Sequence, residues 1–194
     1  MARDNLSPHY QLACRWVPWL LAYTGARVGE IAQLRAEDVM KVDGVHVLNI
    51  TPAAGSVKTG QYRHVPLHTH LIDMGFLDVA EAKGNGPLFY ASEAATRRTD
   101  KASKSLAEKV GQKVRDMVRE VGISAADVEQ PNHAWRHRFK TLSRRWGLDS
   151  EAAHHMQGHA TETEGQDYGS WPVERLSAEI EKLPRYEVKA LQSS

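Results

Sequence analysis

Six side chains carry the chemistry this sequence could perform: Arg27, Lys58, His133, Arg136, His159 and Tyr168. Arginine is a planar, permanently charged fork that suits an anion with several oxygens. Lysine and histidine can hold or pass protons, and an activated tyrosine hydroxyl can act as a nucleophile. Each residue also has an ordinary alternative. Arg27, in Thr24-Gly25-Ala26-Arg27-Val28-Gly29-Glu30, could be a surface arginine paired with Glu30. Lys58 lies in a Val57-Lys58-Thr59-Gly60 turn, where an exposed lysine is the default. His133 and Arg136, three apart, share a helix face, which a solvated basic face would equally explain. His159 follows Gly158 at a helix end, and Tyr168 sits among polar residues where a surface aromatic would be unremarked. The combination carries more than its members. Two arginines, a lysine and histidines can together neutralise the spread negative charge of a phosphoryl group in transfer without a metal ion.

The elements that must position these residues are legible in outline. Ser7-Pro8 reads as an N-cap followed by proline at the first helical position, and the apolar, aromatic run to Tyr23 as a helix stopped by Gly25. A short second helix follows through Glu30, Ile31 and Leu34. Residues 42–50 change period, with Asp43-Gly44 as a hairpin signal. Residues 57–67 read as a second strand pair turning at Thr59-Gly60, with Pro66 confined to a sheet edge. Helices then return. Leu106, Val110, Val114, Val118 and Val121 recur at near-helical spacing. Residues 132–146 form a helix capped by Asn132 and ended by Gly147, residues 150–156 another ended by Gly158, and residues 174–183 a last one. The expected fold is α+β: mostly helical, with a small antiparallel sheet near residues 42–67.

Composition limits the function classes. The chain has 194 residues, 41% hydrophobic and 25% charged, enough for a core and too apolar for disorder. Its longest apolar run is too short to span a membrane, and residues 1–7 lack the apolar stretch of a secretory signal. A single cysteine, Cys14, excludes an internal disulfide and a cysteine-based zinc site, and fits a reducing, cytoplasmic setting. The net charge of +1 hides a polarised chain. Residues 97–119 hold eight basic and three acidic side chains, residues 130–150 five Lys/Arg and one Asp, and acidic residues gather in 162–181. His155 and His159 stand four apart beside His154, but Gly158 inside the pair and no glutamate at helical spacing make a metal site poor. His64, His68 and His70 read as surface residues along a strand end.

Taken in order, the blocks Tyr23-Thr24-Gly25-Ala26-Arg27-Val28-Gly29-Glu30-Ile31, Lys58-Thr59-Gly60, His133-Ala134-Trp135-Arg136-His137 and Gln157-Gly158-His159, with Tyr168 nine residues beyond, resemble the tyrosine recombinase family of the phage-integrase type. The resemblance runs from about Ser7 to Leu183. It implies a mostly helical catalytic domain with a small three-stranded antiparallel sheet. It implies DNA strand breakage and rejoining: Arg27 and Arg136 on the non-bridging oxygens of a scissile phosphate, and Tyr168 attacking phosphorus to leave a 3′-phosphotyrosine and a 5′-hydroxyl. Lys58 would protonate the departing oxygen, His133 would support the tyrosine as acid or base, and His159 would donate a hydrogen bond to the phosphate. Glu30 would orient Arg27. No cofactor and no metal are expected. The partners implied are double-stranded DNA and, in a synapse, further copies forming a tetramer, in a bacterial or phage-encoded protein of the cytoplasm.

Three departures stand out. Trp135 replaces a common leucine, Gln157 puts a polar residue at a normally apolar position, and Glu162, Glu164 and Asp167 crowd the approach to Tyr168. The chain reads as one catalytic domain over 1–194, without the family's N-terminal DNA-clamping domain, and with residues 184–194 as a flexible tail. Two neighbouring readings remain at this level: a nicking-and-closing activity of topoisomerase type, and a recombinase-derived binding module that does not cut.

Overall fold

The computed structural model describes residues 6–55, 62–91, 105–159 and 171–187. Helix α1, Pro8–Thr24, carries Pro8 in its first turn and runs through Pro18. From Trp16 onward it is buried on most of its circumference by Val17, Leu20, Leu21 and Tyr23, so it serves as the central post of the core. It ends at Gly25, whose φ of 60° is left-handed and whose N–H returns to the Leu21 carbonyl. A Cβ here would lie 2.6 Å from Cδ1 of the buried Phe139 ring, so glycine answers both the backbone and the packing. The short helix α2, Val28–Ala32, starts immediately after, with Arg27 at its N-cap.

A three-stranded antiparallel sheet follows, in the order β1 (Val39–Val42), β2 (Val45–Ile50), β3 (Arg63–Pro66). Asp43 and Gly44 both have positive φ, 47° and 82°, which is the twist-matched two-residue turn that an Asp-Gly pair favours. Pro66 pairs with Val47 on the edge strand β3, as its missing N–H requires. Of the second strand pair expected over 57–67, β3 is the described part, and the turn at Thr59-Gly60 lies outside the described residues.

The remaining helices are α3 (Thr69–Asp73), α4 (Phe76–Lys83), α5 (Leu106–Glu120), α6 (Pro131–Arg145), α7 (Ser150–Gln157) and α8 (Val173–Ile180). Helices α3 and α4 had no counterpart in the sequence reading. Helix α5 opens on a capping box in which Ser105 and Glu108 satisfy each other's backbone N–H, and buries Val110, Val114 and Val118. Helix α6 starts one residue earlier than expected. Pro131 takes the first helical position, Gln130 becomes the N-cap, and Asn132 is not the cap. Its side-chain amide donates instead to the Gly111 carbonyl at 2.7 Å, tying α6 to α5. Asp149 caps α7 by accepting from Glu151 and Ala152, and Gly158 ends it with φ 66°.

Helices α1, α2, α5 and α6 pack together, while α7 and α8 close over β3. One hydrophobic core joins them, with Trp16, Ile31, Leu48, Val65, Phe139, Met156 and Leu176 among its members. His68 belongs inside, against the expectation of a surface residue. It caps α3, stacks on Tyr23 with ring centroids 4.3 Å apart, and its Nε2 lies 2.9 Å from the Leu183 carbonyl. Of the tail expected over 184–194, Arg185 pairs with Asp73 and the Tyr186 N–H donates to the Tyr23 hydroxyl, and residues 188–194 lie outside the described residues. No helix among the described residues is long and apolar enough to cross a membrane.

Candidate functional site

The end of α7 is where three of the predicted residues, Arg27, Arg136 and His159, meet. Three consecutive backbone carbonyls, of Met156, Gln157 and Gly158, are each taken by a guanidinium from a different part of the chain. Arg27, at the junction of α1 and α2, donates through Nη1 to the Gly158 carbonyl at 3.1 Å. Arg136, one turn into α6, donates to the Gln157 carbonyl and, at 2.8 Å, to that of Gly25. Arg63, the first residue of β3, donates through Nε to Met156 at 3.2 Å. A helix C-terminus carries partial negative charge and unsatisfied carbonyls, so it can gather arginines that would otherwise repel.

Among the described residues, Glu30 is the one carboxylate bonded to these guanidiniums. It is 2% exposed and each of its oxygens serves two donors. Oε2 accepts the Arg27 backbone N–H at 2.9 Å and Arg63 Nη2 at 2.7 Å, and Oε1 accepts Arg27 Nη1 at 3.3 Å and Arg63 Nη1 at 3.2 Å. Burial alone would raise its pKa, but the hydrogen bonds and charge of Arg63, with those of Arg27, hold it below the usual carboxylate range. Among the described residues, these three guanidiniums therefore face one carboxylate, a surplus of two positive charges. Burial, and then the charge of Arg27, pull the Arg136 pKa down to about 10. Its Nη2 is buried with no partner among the described residues. A buried cationic donor left unpaired is costly, and an anion's oxygen would relieve it.

The histidines flank this cluster. His159 follows Gly158 directly, and its pKa falls to about 4, through burial first and then the charges of Arg136, His154, Lys140 and Arg27. It is thus neutral near pH 7 and can donate one ring N–H. His133 lies on the exposed side of α6, its ring 4.6 Å from that of His137. Burial and the neighbouring His137, Arg136 and Arg27 lower its pKa as well, so it too is neutral and able to accept a proton.

The structure thus brings together Arg27, Arg136 and His159, with His133 on the same helix as Arg136. Lys58 and Tyr168 lie outside the described residues. Arg63 was not among the predicted site residues. The signal that could have found it is strand alternation: Arg63 and Val65 share one face of β3, and that face points into the core. Gln157, which read as a polar intrusion, is bonded to Arg136 in both directions, its side-chain Nε2 donating to the Arg136 carbonyl at 3.1 Å. Trp135 is half-buried and packs against the core, as a larger stand-in for an apolar residue can. Among the described residues no group of three or more His, Cys, Asp or Glu could hold a metal ion.

Comparison with known proteins gives a coherent picture. The phage integrase family model matches residues 8–170. The integrase from mycobacterium phage Brujita is similar in structure, with a TM-score of 0.63 and 20% identity, over 96% of this chain and 57% of that one. The XerH site-specific recombinase bound to its difH substrate in a pre-cleavage complex is similar too, with a TM-score of 0.56 and 20% identity, over 91% of this chain and 48% of that one. The chain therefore spans about half the length of these structures. No curated protein matches it.

Proposed function

Because this chain belongs to the phage integrase family, we propose that it breaks and rejoins DNA strands as a site-specific tyrosine recombinase. The observation that carries this reading is the surplus of two positive charges among the described residues at the end of α7, with Arg136 Nη2 unpaired among them. A pentavalent phosphoryl group spreads its charge over the non-bridging oxygens, and a preorganised arginine pair stabilises that charge without reorganising.

Arg27 and Arg136 take those oxygens, and His159, neutral at working pH, donates a further hydrogen bond. The Tyr168 hydroxyl attacks phosphorus and its proton passes to neutral His133. The bond from phosphorus to the 5′-oxygen breaks, and Lys58 supplies the proton that makes this oxygen a hydroxyl. The phosphotyrosyl link conserves the bond, so a new 5′-hydroxyl can reverse each step and reseal a strand without ATP. The proposed partner is duplex DNA, held by several copies of the protein in a synapse.

The test is a suicide duplex, nicked near candidate sites drawn from DNA flanking the gene, incubated with the protein in EDTA. The expected result is a denaturation-resistant protein–DNA adduct that disappears with Tyr168→Phe. Arg27→Lys and Arg136→Lys should each slow its formation by about 10²–10³-fold, the usual effect of losing one oxyanion donor. DNA binding without an adduct would overturn the enzymatic reading in favour of a binding module.

A further inference from the structure

We propose that Arg63 is a positioning residue that keeps Arg27 available to the phosphate by claiming most of Glu30, an inference that rests on the phosphoryl-transfer reading above. Glu30 sits between two guanidiniums and divides unequally. Arg63 holds both of its oxygens in a bidentate fork at 2.7 and 3.2 Å, whereas the side chain of Arg27 reaches it only through Nη1 at 3.3 Å. Arg63 is buried with all three of its guanidinium nitrogens bonded, to Glu30, Met156 and Gln157, while Arg27 is 30% exposed and its side chain bonds to described residues only through Nη1. The buried arginine therefore absorbs the carboxylate, and the outer one is left with its remaining edge for an anion.

The charge balance leads to the same place. Without Arg63, the surplus of two falls to one, and Glu30 becomes free to grip Arg27 in a fork of its own. An arginine quenched by a carboxylate is a poor ligand for a second anion. Arg63 also braces the carbonyl row itself. It bonds Met156, approaches the Gln157 carbonyl at 3.5 Å, and packs so closely on Gly158 that a Cβ there would lie 2.5 Å from Cζ. Two of these three residues, Gln157 and Gly158, carry the contacts of Arg136 and Arg27 and lead into His159. A point-charged lysine could not span Glu30 and Met156 together, so Arg63→Lys is not conservative here.

The experiment compares wild-type protein, Arg63→Met, Arg63→Lys and the double variant Glu30→Gln/Arg63→Met, each first shown to be folded by thermal melting and far-ultraviolet circular dichroism. The double variant restores a surplus of two by removing one charge of each sign. The first readout is the Arg27 side-chain Nε–H NMR resonance in anion-free buffer, assigned by its loss in Arg27→Lys. It should move in Arg63→Met, as Arg27 becomes carboxylate-paired, and return toward the wild-type position in the double variant. The second is titration with inorganic phosphate. Affinity should fall about tenfold in Arg63→Met and recover to within about threefold in the double variant, where tenfold corresponds to about 1.4 kcal/mol. Arg63→Lys should fall between wild type and Arg63→Met in both readouts. A structural role alone would follow the melting temperature and would not bring the resonance and the affinity back together. An unmoved Arg27 resonance in Arg63→Met, or a double variant as weak as the single, overturns the inference. The predicted Arg27 shifts across the variants, with a wild-type protein that binds no phosphate, would overturn the phosphoryl-transfer reading and leave Arg63 as a partner of Arg27 alone.

Discussion

Gly158 and Gly147 form a natural pair for asking what the close approach of Arg63 contributes. Both sit at helix ends with nearly the same left-handed φ, 66° and 65°. A Cβ at Gly147 would meet nothing within 4 Å among the described residues, while one at Gly158 would lie 2.5 and 2.6 Å from Cζ and Nη1 of Arg63. Alanine at either position pays the left-handed backbone penalty of about 1–2 kcal/mol. At Gly158 it must also displace a guanidinium that is buried, bidentate to Glu30 and bonded to Met156. Breaking a buried ion pair by disturbing one partner costs about 3–5 kcal/mol. Gly158→Ala should therefore be less stable than Gly147→Ala by about 3 kcal/mol, read from urea unfolding at neutral pH with m-values compared. The excess should shrink in the Glu30→Gln/Arg63→Met background, where a flexible methionine can yield. If the two alanine variants lose the same stability, within about 0.5 kcal/mol, the tight packing of Arg63 on Gly158 contributes nothing, given the usual accuracy of additivity.

Other outcomes follow from the same geometry. The His159 imidazole should titrate near about 4 instead of 6.5, and an NMR midpoint above 6 would contradict its placement among the arginines. Because the unfolded chain then binds the proton first, stability should be full above about pH 6.5 and fall as the pH drops toward 4, with His133 and His155 shifted in the same direction. Asn132→Ala, which removes the bond to Gly111, should lower stability by about 1 kcal/mol in denaturant melts with the helix content unchanged. Asp149→Ala should cost a similar ~1 kcal/mol by uncapping α7, measured the same way, and Asp149→Asn should restore most of it.

How much of this could be read in advance depends on the range over which each residue acts. Gly25, Gly158 and Asp43-Gly44 announce themselves because backbone conformation is a local property, and the structure uses each where the sequence placed a stop or a turn. Helix α5 was legible from its valine spacing, since a long amphipathic helix writes its core face in the sequence. The arginine–histidine cluster was legible as a set because Arg27, His133, Arg136 and His159 sit in recognisable local blocks. Arg63 was not. Its partner Glu30 is 33 residues away, and an arginine between Tyr62 and His64 looks like any polar strand residue until the sheet's facing is known. His68 was misjudged for a related reason: only the fold brings Tyr23 and Leu183 to it, and these turn a loop histidine into a buried cap. Asn132 lost the cap position to a neighbour, because Pro131 is better suited than any other residue to start the helix. Helices α3 and α4 are too short for periodicity alone, and they open on His68 and Gly75 without the proline or Ser/Asp start signal that precedes α1, α7 and α8.

The central claim is that this cationic site moves a phosphoryl group between DNA and one tyrosine. The most direct measurement traps the protein on a nicked duplex in EDTA, digests the adduct with nuclease and trypsin, and locates the residual nucleotide by mass spectrometry. The account predicts a single modified peptide carrying a 3′-linked nucleotide on Tyr168, with a free 5′-hydroxyl on the released strand. A nucleotide on any other residue, a 5′-phosphate on the released strand, or cleavage that requires a divalent metal would contradict it.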